Sequence, residues 1–254
     1  MAGGSMTASR ERPRAGAPSC RRCGQCCLRG GPTLMREDAP LLAGGTLPPE
    51  ALVCLRAGEW ARDDARAALR PLEAELLKIA GTGQPAHPWR CLYYRDGAEG
   101  AACGIYHRRP AQCRTLFCAD TAPLETMLAH GASLDRRAAV EALAEQSPPS
   151  VAPALCLELI SAHDEACPAG RALALAAALG FRPRGVGTTG ATGPLPDGGH
   201  EAVRAELAGM ARYDAAFREL CVTRGGVPAS ALPFLLGRPL TVLLAEVGLR
   251  ARAG

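Results

Sequence analysis

The run Cys20-Arg21-Arg22-Cys23-Gly24-Gln25-Cys26-Cys27 places four thiols within eight residues, a density that core packing does not explain. CxxC is the spacing at which two thiolates reach one ion, and Cys26 adds a further ligand three residues on. Cys27 adjoins Cys26. Neighbouring side chains diverge in both extended and helical backbone, so this pair is expected to serve different centres or to leave one member unligated. Cys91, Cys103, Cys113 and Cys118 form a second group, which raises the count to eight. Eight thiolates suit two four-sulfur sites.

Thiolates select soft metals, and the choice among them stays open at this level. Cys20, Cys23 and Cys26 match the first three positions of the bacterial ferredoxin run, but Cys27 does not reproduce the fourth. Zinc asks only for tetrahedral sulfur. The cofactor is therefore expected to be Zn²⁺, or else Fe or an iron–sulfur cluster. Four thiolates leave either centre with net negative charge, and Arg21, Arg22, Arg90, Arg108, Arg109 and Arg114 lie within a few residues of the cysteines. They are expected to offset that charge and to donate hydrogen bonds to sulfur, Arg114 foremost, with solvated surface as the competing role for Arg21 and Arg108.

The CxxCxxCC run, the segment Trp89-Arg90-Cys91 and the signature CxIYxxRPxxCRxxxC from Cys103 to Cys118 together resemble the CxxCxxCC zinc- or iron-chelating domain family, also called the cysteine-cluster family. The resemblance covers about the first half of the chain. It implies binding of zinc, iron or an iron–sulfur cluster. Because a flagellin lysine N-methylase is similar to the family, it also admits a protein methylase. His107 stands where family members often carry an acid before the RP pair, which leaves the ligand set intact.

The elements that must position these thiols are expected to form an α+β, mostly α fold. An irregular, metal-stapled cysteine-cluster half with a short β-hairpin is followed by an all-helical half. Residues 1–19, without hydrophobic periodicity, read as a disordered leader, 20–120 as the metal-binding domain, and 121–254 as a helical region with a flexible Pro/Gly loop at 181–199. Thr33 is placed to cap a short helix through Leu42 that stops at Gly44-Gly45. Leu69, Leu72, Leu76 and Ile79 give residues 62–80 helical spacing. Strands at 90–94 and 104–106, joined by a turn, would bring Cys91 to Cys103, and Pro110 opens a helix that carries Cys113 and ends near Cys118. Further helices are expected at 123–130, at 134–146 with Ser133 as N-cap, and at 150–166, 168–180, 201–224, 230–236 and 239–249.

Other features have plainer readings. Gly185-Val186-Gly187-Thr188-Thr189-Gly190 spells a dinucleotide fingerprint, but a helix precedes it and Pro194 and Pro196 follow, so it reads as loop. Cys156, His163 and Cys167 share a helical face and can be drawn as a third metal site, although Leu155, Leu159 and Ile160 make the segment a core helix. Cys54 and Cys221 lack ligand spacing and read as core, His87 and His107 as bystanders beside cluster cysteines, and Asp63-Asp64 as a solvated turn.

Composition sets the outer limits. A net charge of +4 with Lys78 as the only lysine is mild, so nucleic acid is not an expected partner. Twelve cysteines without a signal-peptide pattern point to a reducing compartment, and no apolar run reaches the roughly 18 residues needed to span a bilayer. The protein is expected to be cytoplasmic, with no membrane contact and with its helical half open to a protein partner. Since residues 1–19 supply no ligand and no apolar face, a chain lacking them should retain the same metal content by elemental analysis.

Overall fold

The computed structural model describes residues 23–63, 66–97, 100–146, 152–184, 186 and 199–249. The leader, Cys20 and nearly all of the GxGxxG stretch lie outside them. In chain order the elements are α1 (Gln25–Arg29), α2 (Ala39–Ala43), β1 (Leu52–Leu55), β2 (Trp60–Asp63), β3 (Ala68–Pro71), β4 (Leu76–Ile79), β5 (Tyr94–Gly97) and β6 (Gly100–Cys103). Then come α3 (Ala111–Thr115), α4 (Ala122–His130), α5 (Arg136–Ala144), α6 (Pro153–Ala166), α7 (Ala169–Ala178), α8 (Gly199–Thr223), α9 (Leu232–Leu235) and α10 (Leu240–Glu246). The fold is α+β and mostly helical. Three two-stranded antiparallel sheets, β1 with β4, β2 with β3 and β5 with β6, occupy the cysteine-bearing half.

The helix expected over 62–80 is replaced by strands. From Leu76 to Ile79 burial alternates, with Leu77 and Ile79 facing the core between the less buried Leu76 and Lys78, which is the two-residue period of a strand. Leu52 pairs with Ile79 and Cys54 with Leu77, so β1 supplies the hydrogen bonds that a helix would have made internally. Pro71 sits at the end of β3 opposite Trp60, where its missing N–H does least harm. Asp63 closes the β2–β3 turn by accepting from the Arg66 backbone N–H at 3.1 Å and from its guanidinium at 2.7 Å.

Two helix starts also move. Thr33 caps nothing: it bridges Lys78, and a 3₁₀ turn over Arg36–Asp38 leads into α2, which does end at Gly44. Leu134 donates its N–H to the Leu34 carbonyl, which keeps residues 133–135 out of the helix, so Asp135 rather than Ser133 caps α5 by accepting from Ala138 N–H. The hairpin forms three to four residues away from its expected strands, at 94–97 and 100–103. Other helices fall close to their expected places.

One core crosses between the halves. Leu34, Leu42, Leu52, Cys54, Leu77 and Ile79 are buried together with Leu134, Val140, Ile160, Cys221, Phe234, Leu235 and Leu236. A second cluster joins Cys167, Leu173, Leu207, Leu240, Leu243 and Val247, with Trp60 packed against it. Charged side chains lie between them. Arg56, 3 % exposed, donates to the Cys167 carbonyl at 2.9 Å, while the fully buried Glu59 accepts from Arg56 N–H at 3.0 Å and from Arg238 Nε at 2.9 Å. Gly58, at φ 83°, lies so close to Gly170 that a Cβ there would meet its Cα at 2.2 Å. Among the described residues no single helix is long and apolar enough to cross a membrane.

Because Phe234 is 1 % exposed within the shared core, Phe234→Ala should cost about 3–5 kcal/mol, a typical loss for a buried phenylalanine. Hydrogen-exchange protection should fall in the β1–β4 sheet and in α9 together. Protection lost from α9 alone would contradict a common core.

Candidate metal centre

The thiols arrive from three directions. Cys23 leads into α1, which carries Cys26 and Cys27; Cys91 precedes the β5–β6 hairpin and Cys103 ends it; Cys113 lies on α3, with Cys118 just beyond. Gly24 makes the first of these approaches possible. Its φ of 72° is a left-handed value that favours glycine, and a Cβ there would lie 2.6 Å from Ala101 Cβ and 2.8 Å from the Tyr94 ring. The cysteine run is thus pressed onto the hairpin. Cys91 N–H donates to the Cys27 carbonyl at 2.8 Å, which ties the two segments backbone to backbone.

Cys26 and Cys27 do not diverge as expected. Their Sγ atoms are 3.9 Å apart, because the short α1 turn lets two adjacent side chains rotate toward the same space. Their acidities separate as a result. The hydrogen bond with Cys27 holds the Cys26 thiol down to about 6, whereas the same bond, followed by burial and by the neighbouring sulfurs Cys26, Cys91 and Cys113, pushes Cys27 strongly up. Burial, then Cys91, Cys103 and Cys26, push Cys113 up to about 12, and Arg109 opposes that shift. Burial likewise raises Cys91, with Cys103 and Cys26 adding to it. Cys91 and Cys113 thus feel the charges of Cys26 and Cys103, and Cys27 those of Cys26, Cys91 and Cys113.

Of the remaining expected ligands, Cys23 and Cys118 are exposed, as Cys26 also is, and Cys20 lies outside the described residues. Among the described residues, no group of three or more His, Cys, Asp or Glu side chains is closed around a point as it would be around an ion. His87 and His107 are exposed, and His107 rests edge-on against Tyr106. Cys156, His163 and Cys167 form no third site. His163 Nε2 shares a 2.7 Å hydrogen bond with Asp214, the Cys167 thiol lies 3.6 Å from the Met210 carbonyl it donates to, and Cys156 is packed in the core. Cys54 and Cys221 are core residues as well.

The arginines divide their work in a way the sequence does not reveal. Arg109 is the one whose charge reaches Cys113, and its guanidinium lies 4.0 Å from the centre of the Tyr106 ring. Arg114, the expected sulfur partner, turns away to the Arg109 carbonyl at 2.8 Å and to Glu37 at 3.2 Å. Arg90 lies over the Tyr94 ring and 3.8 Å from Asp96. Trp89 meets a residue from the far end of the chain, since the Arg238 guanidinium lies 5.3 Å from its ring centre.

Sequence reasoning misses the two side chains that hold α3. Asp38, fully buried, accepts from Ala111 N–H at 2.8 Å and from Met35 N–H at 2.9 Å. Gln112 accepts from Thr33 N–H through its side-chain oxygen. The acid-rich Glu37-Asp38 before a short helix was the available signal, but it points to a local cap and not to a partner 73 residues away.

The structure is thus a cysteine-rich α+β module braced by a helical half, with the candidate thiol ligands carried on three of its segments. Residues 19–130 match the CxxCxxCC family model, whose description reads "Putative zinc- or iron-chelating domain". No curated protein and no solved structure matches the chain.

Cys113 is crowded by other sulfurs and Cys156 is not, so the two should respond differently to loss of the thiol. Cys113→Ser should release bound metal, whereas Cys156→Ser should retain it and lose about 1–3 kcal/mol of stability, the range for a poorly satisfied hydroxyl in a core. Metal content and denaturant midpoints measured on both variants check this. Equal metal loss would return Cys156 to the ligand set.

Proposed function

We propose that this protein binds zinc or iron in a thiolate centre whose nucleus is Cys26, Cys27, Cys91, Cys103 and Cys113, with Cys20, Cys23 and Cys118 as the outer thiols of an eight-cysteine set. The observation that carries this reading is the 3.9 Å approach of the Cys26 and Cys27 sulfurs, with Cys91 tied to the same turn by its N–H bond to the Cys27 carbonyl, supported by the charges of neighbouring thiols that reach Cys27, Cys91 and Cys113. Their chemistry fits such an ion. Tetrahedral sulfur at about 2.3 Å from zinc gives sulfur–sulfur edges of about 3.8 Å, close to the 3.9 Å between Cys26 and Cys27. A cation would also reverse the electrostatics of the group, since each thiol that resists ionisation among its neighbours is deprotonated readily on a metal.

Five thiolate ligands would exceed what one tetrahedral ion takes, and eight would furnish two centres. The same thiols would serve an iron–sulfur cluster with a redox or carrier role, which differs from zinc in colour and air sensitivity. A lysine N-methylase would instead bind S-adenosylmethionine, and no described residue adds support to that reading. Free thiols in this number persist in a reducing compartment, so the cytoplasm is the proposed location.

Anaerobically purified protein should carry zinc or iron in stoichiometric amount. Elemental analysis together with a visible absorption spectrum decides between the metals, with visible charge-transfer bands expected only for iron. Metal-free protein from reducing, metal-replete expression would defeat the proposal.

A further inference from the structure

Asp38 has no place among the thiols, yet it is the most completely buried carboxylate close to them. Asp38 is 0 % exposed, and burial makes its carboxyl a weaker acid than usual against the pull of the Met35 and Ala111 N–H groups and of Arg114. A buried carboxylate is costly unless its oxygens are satisfied, and here both are. Oδ2 takes the Met35 N–H at 2.9 Å and Oδ1 takes the Ala111 N–H at 2.8 Å. The first contact closes the turn that precedes α2. The second reaches across to the first residue of α3, two positions before Cys113. A strap of opposite polarity lies beside it, with Thr33 N–H donating to the Gln112 side-chain oxygen. Thr33 and Met35 are themselves held in place, Thr33 bridged to Lys78 of β4 and Met35 to Ser133.

α3 has only five residues and one buried side chain, Ala111, so packing alone does not fix its position. Asp38 and Gln112 fix it instead. We propose that Asp38 is a positioning residue for the metal centre: it holds α3 by its first N–H so that Cys113 meets the sulfurs of Cys26 and Cys91 in one place. This rests on the thiolate-centre reading above and goes further by naming a residue outside the cysteines that sets the geometry of that centre. Asparagine at this position would offer one acceptor oxygen and turn an NH₂ group toward the second N–H, so one of the two contacts would be lost with almost no change of volume.

The test is Co²⁺ and Zn²⁺ binding to the reduced full chain, read by thiolate-to-Co²⁺ charge-transfer absorption and by competition with a chromophoric chelator. Asp38→Asn should weaken Zn²⁺ binding by about 10- to 100-fold, the usual effect of removing a group that orients a ligand. It should also lower the charge-transfer intensity toward that of Cys113→Ser. Gln112→Ala removes the other strap and should shift both readouts in the same direction, which keeps the proposal testable if Asp38→Asn fails to fold. Asp135→Ala supplies the control, because Asp135 makes the same kind of bond to Ala138 N–H on α5. It should lower the melting temperature with the Zn²⁺ affinity and the spectrum unchanged. Wild-type affinity and spectrum in both Asp38→Asn and Gln112→Ala would overturn the positioning role while leaving the metal centre standing. A wild-type chain that takes up neither ion would overturn both.

Discussion

The thiols of Cys27 on α1, of Cys91 before the β5–β6 hairpin and of Cys113 on α3 all resist ionisation, Cys27 chiefly through its hydrogen bond with Cys26 and the other two chiefly through burial, with the charge of neighbouring thiols adding to each. Cys26, supported by its neighbour, is by contrast a stronger acid than an ordinary thiol. Burial and like charge act in the same direction here, so the group gains most from a ligand that reverses both. A divalent ion bound as proposed would do so in one step, with protons released and repulsion converted into coordination. The rest of the cysteine-bearing half makes that crowding possible. Gly24 permits the close approach to the hairpin, the Cys91 N–H to Cys27 carbonyl bond sets the register between segments, and Asp38 with Gln112 holds α3.

The helical half bears on this arrangement through buried charge as well as through apolar contact. Arg136 is paired with Glu75 and Asp164 and donates to the Leu235 carbonyl at 2.8 Å, so one guanidinium joins the segment before β4 to α5, α6 and α9. Asp214 accepts from Arg218 at 2.9 Å and from Leu240 N–H at 2.9 Å while bonded to His163, which joins α6, α8 and α10. Removing one member of such a group leaves a charge buried without its partner, and the penalty for that exceeds what the intact pair contributes. These networks therefore fix one arrangement of the helices more than they add stability.

The cysteine pattern was legible because ligand spacing is a local property, and the hairpin joining Cys91 to Cys103 followed from a turn-rich stretch between them. The stretch 62–80 was not. Leu69, Leu72, Leu76 and Ile79 fall at intervals of three and four, yet Leu69 is 37 % exposed and Leu77, outside that pattern, is fully buried. The period that counts there is two, and it is set by the β1 partner at residues 52–55, which a window on the sequence does not include. The bond that ties Cys91 to Cys27 likewise spans 64 residues, and the work of Asp38 depends on a residue 73 positions away. Helices of the second half, whose apolar faces are local, fell close to their expected places.

Of the two tryptophans in the chain, Trp60 packs against the second apolar cluster and Trp89 lies under Arg238, two residues before Cys91. Indole emission responds to nearby charge and to nearby sulfur. Trp89 should thus report optically on the segment that leads into Cys91 and on its contact with Arg238, while Trp60 reports on the second cluster. The molecule carries an intrinsic fluorophore for each of its two working parts, and neither requires a label.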